Sequence, residues 1–438
     1  MLNFLYTLFF LPLVLIRILY KAVRNPKYLV RVSERFGIYN DHSQLKPKNT
    51  SVDIWLHTVS VGEFLATKPL ILELLKIKPD YKILITCTTL TGSELISKFI
   101  EQNKVFNLYH VYYPYDNTII CNRFLNTFKP KLAVFLETEI WPKMFTQIKQ
   151  HDIKLFIINA RLSEKSFNNY FRFQKFIKPI INKVDLIVSQ GNLDQTRFLK
   201  LGIASDKIIT YGNIKYNIKL PDDLDSKSNE YKQILNIKNN LVLIAASTHN
   251  GEDEIIINIY LKLKKVYPDL LLVIVPRHPE RFSKVYNLCL NTGLNTKKFS
   301  AISFDLKTTK SNNLDNVICP DIFVLDTIGQ LLYFYNLADL AFIGGSLIPI
   351  GGHNPLEPAA LKIPAIMGPN YYNFSQIVDN LKEANGIIIC ENNNALEASL
   401  LKLLGNQNLR RDLADNAFKI IEQNKNILEK YVTLLIEN

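Results

Sequence analysis

From Val52 onward the chain alternates short apolar runs with amphipathic stretches, and few folds accept that rhythm. Runs such as Val134-Phe135-Leu136 and Leu186-Ile187-Val188 are apolar on both faces, as parallel strands covered by helices must be. The pattern predicts strands over 52–56, 82–86, 108–113, 131–136, 154–158, 184–188 and 208–211. Helical stretches fall between them over 63–77, 91–102, 117–128 and 192–200. Residues 217–238 turn polar and read as a linker, after which the alternation restarts. Strands are predicted there over 241–246, 270–275, 322–325, 340–343, 364–367 and 386–389, with a helical tail in a position to pack back across the linker. The expected architecture is two doubly wound α/β domains, 37–216 and 239–438, with C-terminal helices counted in the second. In such sheets ligands sit beyond the carboxyl ends of the strands, so substrate is expected in an interdomain cleft.

The formal net charge of +12 implies an acidic partner, and nucleic acid, anionic lipid and phosphorylated small molecules all satisfy it. Its distribution is more telling. Residues 2–16 carry no charge, and Arg17, Lys21, Arg24, Lys27, Arg31 and Arg35 follow against one acid, Glu34. Residues 1–36 therefore read as a membrane-anchor helix with a basic flank kept inside, spanning or interfacial, with a buried N-terminal helix as the other reading. The basic residues form no aromatic-interleaved RNA motif, so no nucleic-acid partner is expected. Five scattered cysteines without C-x-x-C spacing point to a reducing compartment.

The densest motif is Gly344-Gly345-Ser346-Leu347-Ile348-Pro349-Ile350-Gly351-Gly352-His353-Asn354-Pro355-Leu356-Glu357-Pro358, a strand, glycine loop and helix start in order. Such a turn brings backbone N–H groups close to an anion, although Asn354 to Glu357 also spell a capping box. Ser60-Val61-Gly62-Glu63 has the same double meaning. Glu63 is either a cap or a general base at a strand's carboxyl end, where the helix dipole is expected to keep it ionised. Glu137-Thr138-Glu139-Ile140-Trp141-Pro142 is either a salt-bridged turn or a second wall of that crevice, and Lys215 either a surface lysine or a cleft residue. Arg277, in Pro276-Arg277-His278-Pro279-Glu280-Arg281, stands where a strand ends and is suited to a phosphate. Ser247-Thr248-His249 and Asp326-Thr327-Ile328-Gly329-Gln330 are further donor-rich loops. No paired metal spacing appears among the histidines, although His57, His249, His278 and His353 all fall at strand ends. Asp223-Leu224-Asp225 is a weak candidate for a divalent ion.

Taken in order, Val59 to Glu63, Glu137 to Pro142, Gly212 to Lys215, Ser247 to His249, Pro276 to Arg281 and Gly351 to Pro358 resemble the 3-deoxy-D-manno-octulosonic acid (Kdo) transferases of lipopolysaccharide assembly. The resemblance implies a GT-B glycosyltransferase of the cell inner membrane, with its catalytic domains on the cytoplasmic side. It implies CMP-Kdo as donor, a lipid A precursor as acceptor, inversion at the anomeric carbon and no cofactor or metal. Glu63 would then be the general base, with Glu139 and Lys215 assisting the transition state. Pro276, Arg277, Ile328, Gly329, Gln330, Asn354, Pro355, Leu356 and Glu357 would contact CMP. The chain departs from the family pattern at Lys143, Gln330 and Ala246, and Gln330 weakens that CMP contact. A GT-B enzyme using a UDP-sugar and a non-catalytic membrane-bound nucleotide sensor are the competing readings.

Overall fold

The computed structural model describes Tyr20, Ala22, Val23 and residues 25–39, 51–103, 107–301 and 319–438. The uncharged run 2–16 read as an anchor lies outside the described residues. Among the described residues no helix is long and apolar enough to cross a membrane. The chain divides into two compact units, Met1–Asn217 with Asn426–Asn438, and Ile218–Lys425.

The first unit is built on a seven-stranded sheet ordered β3-β2-β1-β4-β5-β6-β7. Its strands are β1 Ile54–His57, β2 Ile83–Cys87, β3 Leu108–Tyr112, β4 Leu132–Leu136, β5 Lys154–Ala160, β6 Leu186–Ser189 and β7 Ile208–Thr210. All neighbours pair in parallel, as both-face apolar strands require. Aromatic rings fill one side: Trp55, Phe124, Phe128, Phe135 and Phe145 are fully buried. The Trp55 indole N–H is satisfied at 2.9 Å by Thr86 Oγ1. Adjacent strands β1 and β4 send their connections in opposite directions, β1 toward β2 and β4 toward β5, which opens a crevice between their carboxyl ends.

The second unit repeats the design with β8 Val242–Thr248, β9 Leu271–Pro276, β10 Thr296–Lys298, β11 Ile322–Val324, β12 Leu340–Ile343, β13 Ala365–Met367 and β14 Ile388–Ile389. Their order is β10-β11-β9-β8-β12-β13-β14, so the corresponding switch point lies between β8 and β12. β10 escaped the sequence reading because Thr296-Lys297-Lys298 is a short polar edge strand with no apolar alternation.

Three boundaries differ from those expected. The stretch read as a linker holds the helix Leu224–Ile234, a member of the second unit. Its polar composition hides a narrow buried stripe at Leu224 and Ser228. The Asp223 and Asp225 carboxylates serve this helix rather than an ion: Asp223 pairs with Lys227 at 2.7 Å and accepts from Tyr333 Oη, and Asp225 accepts from Asn336. The last helix, Ile427–Ile436, packs on the first unit, returning across the linker as the tail was expected to be able to do, although the domain bounds counted it in the second. The basic flank is also partly structural. Arg31 grips Glu34 with Nε and Nη2 at 2.7 and 2.9 Å, and Glu34 in turn accepts from Tyr112 N–H. The Arg35 guanidinium lies 4.0 Å over the Tyr112 ring. Residues 25–38 are thus part of the first unit rather than a free flank.

Candidate active site

At the β1/β4 switch point the loops after the two strands deliver three carboxylates. Ser60 caps the helix Val61–Ile77, accepting from Glu63 N–H at 3.4 Å, and donates its hydroxyl back to Glu63 Oε1 at 3.1 Å. Glu63 Oε2 accepts from Val59 N–H at 2.7 Å. Glu63 therefore does take part in a cap, yet its proton affinity is far from that of a solvated one. Burial pushes its carboxyl up to about 7, the charges of Glu137 and Glu139 push the same way, and the Val59 and Ser60 hydrogen bonds oppose them. The expectation that the helix N-terminus would hold it ionised fails because desolvation outweighs those bonds. Glu139 is likewise raised, first by burial and then by Glu137, with Trp141 opposing. Glu137, directly after β4, sits in the left-handed region at φ 55°, as do eight other non-glycine residues among those described.

Lys215 is brought to the same carboxylates. Its Nζ lies 3.7 Å from Glu137 Oε1, so it meets Glu137, which the resemblance does not place among the catalytic residues. The turn Ile214–Tyr216 that carries it is pinned by buried amides. Asn213 Oδ1 accepts from Lys215 N–H at 3.0 Å, and Asn213 Nδ2 donates to Gln190 Oε1 at 2.9 Å. Gln190 donates to the Asn159 carbonyl, and Asn159 Oδ1 accepts from Ile214 N–H. Tyr431, from the last helix, donates to the Gly212 carbonyl at 3.0 Å and accepts from Asn159 N–H at 3.3 Å. Asn213 belongs to the Gly212 to Lys215 motif, whereas Asn159, Gln190 and Tyr431 lie in none of the motifs read from the sequence.

In the second unit the glycine loop behaves differently from its sequence reading. The N–H groups of Gly345, Ser346 and Leu347 do meet an anion, but it is the protein's own Glu252. Its two oxygens take these three amides at 2.7, 3.0 and 3.0 Å and His249 N–H at 3.0 Å. Glu252 is fully buried. One carboxylate thus ties the loop after β8 to the loop after β12. Gly344 is required for the approach: a Cβ there would stand 2.5 Å from the Ser247 carbonyl oxygen. Gly351 and Gly352 have φ of +104° and +73°, and added Cβ atoms would strike Asn373, Tyr372 and Met367. Their need for glycine is therefore met inside the protein. The donor-rich loop after β8 is similarly committed, since Thr248 donates to Asp253 at 2.6 Å and Arg281 holds both Asp253 and the Thr248 carbonyl.

Arg277 is the exception. It follows β9, is exposed, and its guanidinium makes no ion pair or hydrogen bond with any described residue. Beside it His249 and His353 share one hydrogen bond, Nε2 to Nε2 at 2.8 Å, with nearly parallel rings, and His278 meets His249 edge-on at 5.2 Å. Burial, then His249, then Arg277 lower His353 to about 4, and burial also lowers His249, so the pair is neutral near pH 7. His57 belongs to the first unit, on β1, and the other three histidines to the second. Asn354 accepts from Leu356 N–H and donates to Glu357 Oε1 at 3.3 Å, while burial raises the Glu357 carboxyl. The Leu356 side chain is core, leaving only its backbone for a ligand. Pro276 and Pro355 are buried beside these loops. Ile328 is exposed next to Gly329, and Gln330 Oε1 is occupied by Tyr231 Oη at 2.8 Å.

Residues 30–218 match the family model described as 3-deoxy-D-manno-octulosonic-acid transferase (kdotransferase). The chain is 35% identical to the 3-deoxy-D-manno-octulosonic acid transferase of Haemophilus influenzae, over 97% of this chain and 95% of that protein. It is 31% identical to a probable mitochondrial 3-deoxy-D-manno-octulosonic acid transferase of Arabidopsis thaliana, over 88% of this chain and 83% of that protein. In fold it is similar to UDP-GlcNAc 2-epimerase from Neisseria meningitidis, with TM-score 0.56 at 15% identity, over 89% of this chain and 100% of that one.

Proposed function

The chain belongs to the Kdo transferase family and is a glycosyltransferase, and we propose that it moves Kdo from CMP-Kdo to a lipid A precursor with inversion at the anomeric carbon. The observation that carries this reading is the place of Glu63, half-buried at the β1/β4 switch point and held there by Val59 N–H and Ser60 Oγ. Inversion by direct displacement needs one base to take the proton of the attacking sugar hydroxyl. A carboxylate raised to about 7 is a stronger base than an ordinary glutamate and is still half deprotonated at neutral pH. Glu137 and Glu139 add negative potential that favours an oxocarbenium-like transition state, and Lys215 offsets part of that charge in the resting site. In the second unit the uncommitted guanidinium of Arg277 takes the CMP phosphate, with the loop at Asn354 to Glu357 and the exposed Ile328-Gly329 turn contacting the nucleotide. Residues 2–16 anchor the protein in the inner membrane, with the α/β units on the cytoplasmic side.

The pH dependence of kcat/KM for Kdo transfer tests the proposal. The active form is deprotonated, so the rate rises with pH and levels off above an apparent pKa near 7 that belongs to the carboxylate cluster as a whole. Glu63→Gln keeps an acceptor for Val59 N–H, so the melting temperature holds while transfer falls about 10²–10⁴-fold. Near-normal transfer by that variant would sink the assignment.

A further inference from the structure

The loops after three neighbouring strands, β9, β8 and β12, each deliver a histidine to one place, and the proposed transfer uses none of them. His249 and His353 are half-buried with nearly parallel rings, and His278 meets His249 edge-on. A glycine makes room for this: Gly345 has φ +68°, and a Cβ there would stand 3.0 Å from His353 Cδ2. In two neutral imidazoles joined Nε2 to Nε2, one ring donates and the other accepts. Whichever way that proton lies, one Nδ1 of the pair carries a hydrogen and the other a lone pair. Neither Nδ1 has a hydrogen-bond partner among the described residues. The pair therefore offers one donor and one proton-accepting nitrogen beside Arg277.

Transfer changes the charge that such a pair meets. The phosphate of a CMP-sugar is a diester with one negative charge. When its bond to the sugar breaks, the electron pair stays on the phosphate oxygen, and CMP departs as a monoester with nearly two charges at neutral pH. Before a phosphate arrives, the charges that bear on the two rings are positive, from His278, Arg277 and Arg281, and with burial they keep the pair neutral. The acids of the adjoining elements are engaged elsewhere: Glu252 with four amides, Asp253 with Arg281 and Thr248, Glu357 with Asn354. Glu254 and Glu280 lie on those elements too, but neither is among the charges that shift the rings. Lys284 is held by Asn250 Oδ1 at 2.7 Å. A bound phosphate reverses the balance. At an effective dielectric of about 20, one negative charge about 5 Å away raises an imidazole's proton affinity roughly 200-fold, and two raise it by about the square of that. Starting from about 4 for His353, one charge leaves the ring neutral above pH 7 and two protonate it.

We propose that the His249–His353 pair takes up a proton from solvent as the phosphate gains its second charge, so that two Nδ1–H donors and a positive charge meet the departing CMP. The inference rests on the donor reading above, and its test reads binding without any transfer. Calorimetry of CMP on the full chain near pH 7.5, in two buffers of different ionisation enthalpy, counts the protons taken up per CMP. Most of one proton is expected. Because binding takes up a proton, CMP affinity falls as pH rises, by about tenfold between roughly pH 7 and 8.5, where CMP itself is mostly the dianion. CMP methyl ester, which carries the single charge of the donor's phosphate, binds with little uptake. His249→Asn and His353→Asn each keep an amide near the Nδ1 position but cannot be protonated, so each binds CMP with the uptake abolished and the melting temperature retained. Uptake that survives in both variants would overturn the inference, as would equal uptake for CMP and its ester in the unsubstituted protein. CMP that binds without any proton uptake would also overturn it, leaving the donor reading intact, whereas a failure of CMP to bind at all would bring down both.

Discussion

A glycine-rich turn at a helix start is ordinarily read as a cradle for a ligand's anion, but this one is filled by Glu252. That residue and Arg277 divide two jobs that sequence motifs run together. Glu252 is buried with four amide donors, so it stabilises the loops. Arg277 is exposed and uncommitted, so it is available to a phosphate. Glu252→Gln sets an NH2 group against amide donors and is expected to cost about 2–4 kcal/mol, read as a lower urea midpoint. An unchanged midpoint would show that the loops hold without the carboxylate. Arg277→Ala is expected to leave that midpoint alone and weaken CMP binding by about 1.5–3 kcal/mol in calorimetry. Intact CMP affinity would remove Arg277 from the site. The residues at strand ends were legible because switch-point loops carry recognisable turns and caps. What they hold was not. Glu63 gains its proton affinity from burial and from Glu137 and Glu139, which the pairing of β1 with β4 brings across from a distant part of the chain.

At the scale of elements, composition misled wherever an element buries little of itself. The helix Leu224–Ile234 looks like a linker because only a thin stripe of it is covered, and β10 looks like a loop because it is an edge. The turns Pro26–Leu29 and Val32–Phe36 are the instructive case. Their arginines suggested a membrane flank, but Glu34 turns one of them inward: Arg31 also donates to the His110 carbonyl at 2.8 Å, and Arg35 to that of Thr88 at 2.9 Å. Glu34→Ala strands the Arg31 charge, which is 22% exposed, and the Tyr112 N–H. A loss of about 2–3 kcal/mol is expected, with the edge strand β3 losing amide-exchange protection first. If protection of β3 stayed at the wild-type level, these turns would be only an adjacent covering.

The plan of the whole molecule, two parallel sheets each with its functional loops at a switch point, was readable because strands buried on both faces announce themselves. Membership of the last helix was legible only in part: its return across the linker was anticipated, but contiguity along the chain had counted it with the second domain. That return has a functional consequence. The helix Ile427–Ile436 buries Ile427, Tyr431, Val432 and Leu435, and it packs on both the helix that begins beside Glu63 and the turn that carries Lys215. Tyr431 joins the C-terminus to the amide network behind Lys215 through Gly212 and Asn159. Tyr431→Phe keeps the ring's packing and removes only the hydroxyl, leaving the Asn159 N–H and the Gly212 carbonyl without that partner. The expected cost is about 1–3 kcal/mol of stability. Because Lys215 is positioned through those atoms, Kdo transfer should fall by roughly tenfold or more, as small misplacements at reacting centres do. CMP affinity should stay at the wild-type level, since the nucleotide contacts proposed for this chain lie in the other unit. Measuring kcat together with CMP binding separates the outcomes. A lower melting point with unchanged kcat would make Tyr431 a packing residue alone, whereas a loss confined to transfer places the end of the chain in control of Lys215.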